Sequence, residues 1–193
     1  MTTITVPTTG LALGPGYLYY APLGSDLPTN TVSGGLFTDT WPAAWKPIGI
    51  TKEGHEFSVE PDTDNVEVAE ILDVLAYVET GREIGMSFEI ARITLSLEKL
   101  ALNGGTITST GSGADQLNQY TPPEIGESVR NMIGWESTSQ VERLIIPKAF
   151  QQGNVTTARK KGADNATLPV EFRCERIQGT PPYYHWTIGT DLA

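Results

Sequence analysis

The feature that most constrains this fold is a change of hydrophobic period part-way along the chain. Between Gly81 and Ile90, the apolar residues Ile84, Met86, Phe88 and Ile90 alternate with Glu83, Gly85, Ser87 and Glu89. That period of two belongs to a half-buried strand. From Ile93 the spacing becomes helical: Ile93, Leu97, Leu100 and Ala101 share one face, while Glu98 and Lys99 turn away. Thr94 fits an N-cap, and Asn103-Gly104-Gly105 supplies the left-handed backbone that ends helices. The stretch from Val66 to Gly105 therefore reads as a long hairpin feeding a short helix, at 94–103, that covers a β-sheet.

Elsewhere strand-like runs recur. Tyr17–Ala21 reads as the first strand, and Ile48–Ile50 and Gly54–Glu60 as two more, with a turn at Lys52-Glu53-Gly54. Val129–Trp135 and Gln140–Phe150 form a hairpin across Glu136–Ser139, and Pro147 demands an edge position or a bulge. Thr106–Thr110 reads as a strand before a Ser/Gly connection, and Thr167–Ile177 with Tyr183–Ile188 as a closing hairpin. The expected class is mainly β, a β-sandwich or small barrel with one short covering helix and long loops. At 193 residues this is one domain. Residues 1–14 are its N-terminal arm and 22–47 a long proline-punctuated loop; connections beyond about 12–15 residues usually have a task.

Composition excludes several function classes. With 23 acidic and 13 basic residues the net charge is −10, the wrong sign for a binder of nucleic acid through phosphates. No apolar run approaches the roughly 20 residues that span a bilayer, and MTTITVPTTG lacks the basic and apolar regions of a secretory signal. The lone Cys174 has no internal disulfide partner and reads as a small core residue in an alternating strand. His55 and His185 stand without a second ligand at metal spacing, and no nucleophile elbow, HExxH or P-loop occurs, so neither enzyme nor cofactor is expected. Asp62-Thr63-Asp64-Asn65 begins like a calcium loop, but Glu67 and Asp73 stand where Gly and Glu are required; an Asp/Asn turn is the better reading.

Three groups of residues point outward to partners. Ile71, Leu72, Val74, Leu75 and Val78 crowd the middle of an acidic stretch, which on a monomer surface would form an exposed apolar patch. The alternative for that stretch is a short buried helix over Val68–Leu75. Trp41 and Trp45 either cap the core from the long loop or anchor a neighbouring subunit, where Trp is enriched. Arg159-Lys160-Lys161 is either a solvated loop or a contact to an acidic face next door.

The segments Glu67-Val68-Ala69-Glu70-Ile71-Leu72-Asp73, Thr80–Ala91 and Thr94–Gly105 resemble the major tail tube proteins of long-tailed bacteriophages. So do Gly16–Gly24 and Pro42–Gly49 and the distance between them. The resemblance implies a structural virion protein: six-subunit rings stacked into a phage tail tube through which DNA passes, assembled in the host cytoplasm. It makes 61–80 a projecting loop that reaches the next ring, and it implies tape measure, tail terminator and baseplate proteins as partners, with no membrane. Glu67, Glu70, Glu83 and Glu89 become candidates for an acidic lumen that repels phosphates. Two other readings stay open: a tail terminator, and a carbohydrate- or receptor-binding sandwich with Trp41, Trp45, Tyr183, Tyr184 and Trp186 as its stacking platform.

Overall fold

A computed structural model describes residues 16–49, 51–66, 73, 76–157 and 166–189. In chain order its elements are β1 (Gly16–Pro22), β2 (Val32–Ser33), β3 (Leu36–Phe37), β4 (Lys46–Pro47), β5 (Thr51–Val66), β6 (Ala76–Ile90), α1 (Leu95–Ala101), β7 (Thr106–Thr110), β8 (Leu117–Thr121), β9 (Asn131–Ser137), β10 (Glu142–Gln151), β11 (Leu168–Cys174) and β12 (Tyr184–Thr187). The protein is mainly β and antiparallel, with one short helix. The main sheet runs β4-β1-β9-β10-β11-β6-β5, with β12 also on β10.

The sheet turns a corner at Pro147. Proline has no N–H for the ladder, and the register of β10 against β9 shifts between Ile146 and Ala149. Before the shift β10 pairs with β12, Glu142 to Ile145 against Thr187 to Tyr184. After it β10 pairs with β11, Ala149 to Gln151 against Cys174 to Phe172. The expected hairpin between the last two strands is thus not formed. Both run antiparallel to β10 and follow one another along its edge. A strand that bends at a bulge can serve two layers. The ring of His55 in β5 lies 4.8 Å from that of Trp135 in β9. Four strand spacings separate β5 from β9 along the ladder, about 19 Å if it were flat. The sheet has therefore folded over on itself.

The core lies between the two layers. Leu18, Ile133, Trp135, Leu144 and Ile146 meet Met86, Phe88, Ile90, Leu168, Val170 and Phe172, and α1 adds Leu97, Leu100 and Ala101. The helix starts and stops on its local signals. Thr94 Oγ1 accepts from the Leu97 amide at 3.3 Å, and Asn103, Gly104 and Gly105 all have positive φ. Asn103 also ties the helix to β10, donating to the Gln151 carbonyl at 2.6 Å and accepting from its amide at 2.9 Å.

The layer of β1, β9 and β10 is buried on its other face too. Ala21, Met132 and Ile145 point that way, and the 22–47 segment lays Trp45, Trp41 and Leu27 over them. Gly134 makes this possible, because a Cβ there would stand 2.6 Å from the Trp41 ring. Covering this face is the task of the long loop.

Three local expectations change. Lys52-Glu53-Gly54 is no turn: it lies inside β5, where the register shifts between Thr51 and His55 and Gly54 takes φ +86°. Asp62–Asn65 is no turn either, since these residues pair with Gly81, Glu79, Val78 and Tyr77. Leu117–Thr121, unmarked in the sequence, is a strand paired with Thr106–Thr110.

Candidate assembly surfaces

The β5–β6 hairpin outruns the sheet that carries it. β6 pairs with β11 only from Gly85 to Ile90, whereas β5 and β6 stay paired out to Val66 and Ala76. Beyond Ile84 the hairpin is a two-stranded ribbon extending about 25 Å, at about 3.4 Å per residue. Both faces of it are exposed, including Val66, Tyr77 and Val78; Tyr77 is 70% accessible. An isolated two-stranded ribbon is marginal in water, and bare apolar residues on it call for a partner.

Alternation fixes a second surface. Inward-facing Ile84, Met86 and Phe88 leave Glu83, Gly85, Ser87 and Glu89 on the outer face, and the register sets Glu56, Glu60, Glu171 and Arg173 beside them. Lys52 lies 3.9 Å from Glu89. Arg173 reaches Glu171 at 2.7 Å, Glu83 at 3.4 Å and Glu60 at 4.0 Å. Five glutamates thus face two cations on an exposed sheet. Of the described residues, Gly153 and Asn154 after β10 border it beside Glu171.

Third is a buried charge cluster beneath the long loop. Arg143 is fully buried, and its guanidinium donates to Asn30 Oδ1 at 3.0 Å, to both Asp39 carboxylate oxygens at 2.9 and 3.0 Å, and to the Asp39 carbonyl at 3.0 Å. It lies 4.4 Å from the Phe37 ring centre. Its Nε is 3.3 Å from Glu136 Oε2, which also accepts from the Trp41 indole. Burial alone would raise the Asp39 pKa, but the hydrogen bond and charge of Arg143 outweigh it and hold the carboxyl below its usual value.

Reactive side chains do not converge. His185 meets Glu142 at 2.8 Å on the surface. Burial lowers the pKa of His55, against a smaller opposing effect of Glu142. Burial raises the Cys174 thiol, whose Sγ rests 3.0 Å from the Pro182 carbonyl. Among the described residues no cluster of His, Cys, Asp or Glu is arranged to hold a metal, and no helix is long and apolar enough to cross a membrane.

The folded-over antiparallel sheet, covered by one helix, leaves the ribbon bare on both faces among the described residues. The sequence supplies the family: the model for phage tail tube proteins matches residues 8–192. The chain belongs to the phage tail tube protein family. No curated protein matches it. Membership makes it a structural component of a phage virion, assembling with itself and with other tail parts.

For this tail tube protein, the residues singled out in the sequence divide three ways. Val78 stands half exposed on the ribbon, and Glu83 and Glu89 share the acidic face. Trp45 is buried, its indole donating to the Asp26 carbonyl at 2.8 Å, and Trp41 stacks 4.3 Å from Tyr19. Both tryptophans therefore pack within their own subunit. Ile71, Leu72, Val74, Leu75, Glu67, Glu70, Arg159, Lys160 and Lys161 lie outside the described residues, as does the alternative of a helix over Val68–Leu75. The projecting segment 61–80 is strand over Pro61–Val66 and from Ala76 onward. Sequence reasoning passed over Tyr77, although an aromatic beside a run of apolar residues was visible. It had no signal for the Arg143 cluster.

Proposed function

We propose that this protein forms six-subunit rings that stack into the tail tube of a long-tailed phage, and that viral DNA crosses the lumen without a binding site. The supporting observation is the outer edge of β5. It is a strand of 16 residues with no partner on that side among the described residues. Unpaired edges invite another chain, and closing several sheets into one barrel removes them. Glu53, Glu56, Glu60, Asp62 and Asp64 on the same strand oppose indiscriminate pairing, so only a matched copy adds.

The acidic outer face of β11, β6 and β5 is the best candidate for the lumen wall, because carboxylates repel phosphates and offer no counterion release. Glu83 and Glu89 lie on it, and Glu67 and Glu70, outside the described residues, are proposed for the same role. Arg159-Lys160-Lys161 is a candidate for holding an acidic face of the neighbour. Tape measure, terminator and baseplate proteins are the other partners this role requires, met in the host cytoplasm.

Negative-stain electron microscopy of the purified protein, fresh and concentrated, tests the reading. Hollow tubes or stacked rings are expected. Discrete particles at every concentration would instead favour a capping role such as the terminator. The glycan-platform reading is weakened by the burial of Trp45 and the stacking of Trp41 on Tyr19 within the subunit.

A further inference from the structure

The ribbon is one half of a contact, and the same subunit carries a surface with the opposite properties. A groove of about 470 Å³ opens between the end of β1, the bulge of β10 and the chain after β11. Leu23, Leu27, Met132 and Ile177 line it, together with Lys148 and Arg176. Lys148 and Arg130 share a single carboxylate, Glu175, at 2.9 and 2.8 Å. Lys148 and Arg176 are thus the charged residues of the groove's lining, with no acid among them, on a chain whose acids outnumber its bases 23 to 13. The groove is apolar and cationic where the ribbon is apolar and acidic.

We propose that this groove receives the β5–β6 ribbon of a second copy, with Tyr77 on its apolar floor and Glu79 against Arg176 and Lys148. Tyr77 and Glu79 are two apart on one strand and so share a face, with Asn65 and Thr63 opposite them. Tyr77 is the most exposed aromatic of the ribbon, and aromatic residues in apolar pockets dominate interface energetics. The ribbon projects about 25 Å from the sheet, enough to reach into a neighbour. Ribbon and groove are different surfaces, so the contact is heterologous and repeats from copy to copy, as a tube requires. The inference rests on the tube reading and adds to it the acceptor of the ribbon.

Disulfide trapping tests it. In a Cys174→Ala background, Leu23→Cys and Tyr77→Cys are introduced together, and assemblies are oxidised and run on a non-reducing gel. A ladder of covalent multimers, absent from either single-cysteine variant, is expected. Tubes that form without a ladder would overturn the groove and leave the tube reading standing. A wild-type protein that never forms tubes would overturn both. A charge exchange gives an independent readout: Glu79→Lys raises the concentration needed for assembly by about tenfold, and adding Arg176→Glu reverses most of that. Equal impairment of single and double variants would count against the pairing.

Discussion

A guanidinium taken wholly out of water must be matched by several partners or it destabilises the fold, and Arg143 shows how this subunit does it. Its donors are divided between Asn30 and Asp39 from the long loop, its plane rests by Phe37, and Glu136 of β9 stands at its Nε. The cluster holds the 22–47 segment on the sheet from beneath. Removing one partner of a buried ion pair typically costs 3–5 kcal/mol, because the other charges stay buried without it. Arg143→Ala should therefore lower the unfolding free energy of the monomer by about 3–5 kcal/mol, read by urea titration. Arg143→Lys should recover only part, since an ammonium cannot make the planar fork and the ring contact together. A loss below about 1 kcal/mol would show that the loop is held by Trp41 and Trp45 alone. None of this was legible beforehand: Asp39 and Arg143 are 104 residues apart, and no local pattern links them.

Among the elements, the β5–β6 hairpin divides into two parts that should differ in stability. The part from Gly85 to Ile90 has β11 on its other side and Met86 and Phe88 in the core. Beyond it, apart from the contacts of Arg173 with Glu60 and Glu83 at the base, the described part of the ribbon is held by its own cross-strand pairs. Local opening free energy follows burial and contact density, so ribbon amides should exchange early. In the unassembled subunit, hydrogen exchange in 61–66 and 76–80 should run at least about a hundredfold faster than in β9 and β10, and assembly should abolish the difference. Equal protection in the free subunit would show that the ribbon needs no neighbour. Elements were read correctly where their signals are local. Thr94, the Leu97–Leu100–Ala101 face and Asn103 specify α1 within a few residues, and the Glu136–Ser139 hairpin was equally plain. Misreadings arose where a distant strand decides the outcome. Asp62–Asn65 has the composition of a turn, yet pairing with Tyr77–Gly81 makes it strand. The final two strands look like a hairpin, yet both take β10 as partner. Trp41 and Trp45 pack against Gly134 and Tyr19, contacts with no local pattern to announce them.

On the scale of the whole molecule, the two layers are finished differently. One is buried on both faces, its outside sealed by aromatic residues from the long loop. The other shows Glu56, Glu60, Glu83, Glu89 and Glu171, with Arg173 and Lys52 the cations among them in the described residues. A subunit that only had to stay soluble would gain little from confining five carboxylates to one sheet face, since repulsion among them opposes folding. The proposed tube, passing DNA without retaining it, gains directly. Glu83→Lys with Glu89→Lys changes each subunit by four charges, from −10 to −6, and a ring of the proposed six subunits from −60 to −36. Arg173 keeps Glu171 and Glu60 in that variant, while Lys52 loses Glu89. Tubes should still form, but DNA ejection through them should slow, and more so at low salt, because the new lysines allow counterion release that the wild-type wall does not. If the variant tubes instead collect DNA on their outside while ejection keeps its wild-type rate, the acidic face is the exterior of the tube. The lumen would then have to be sought on another surface.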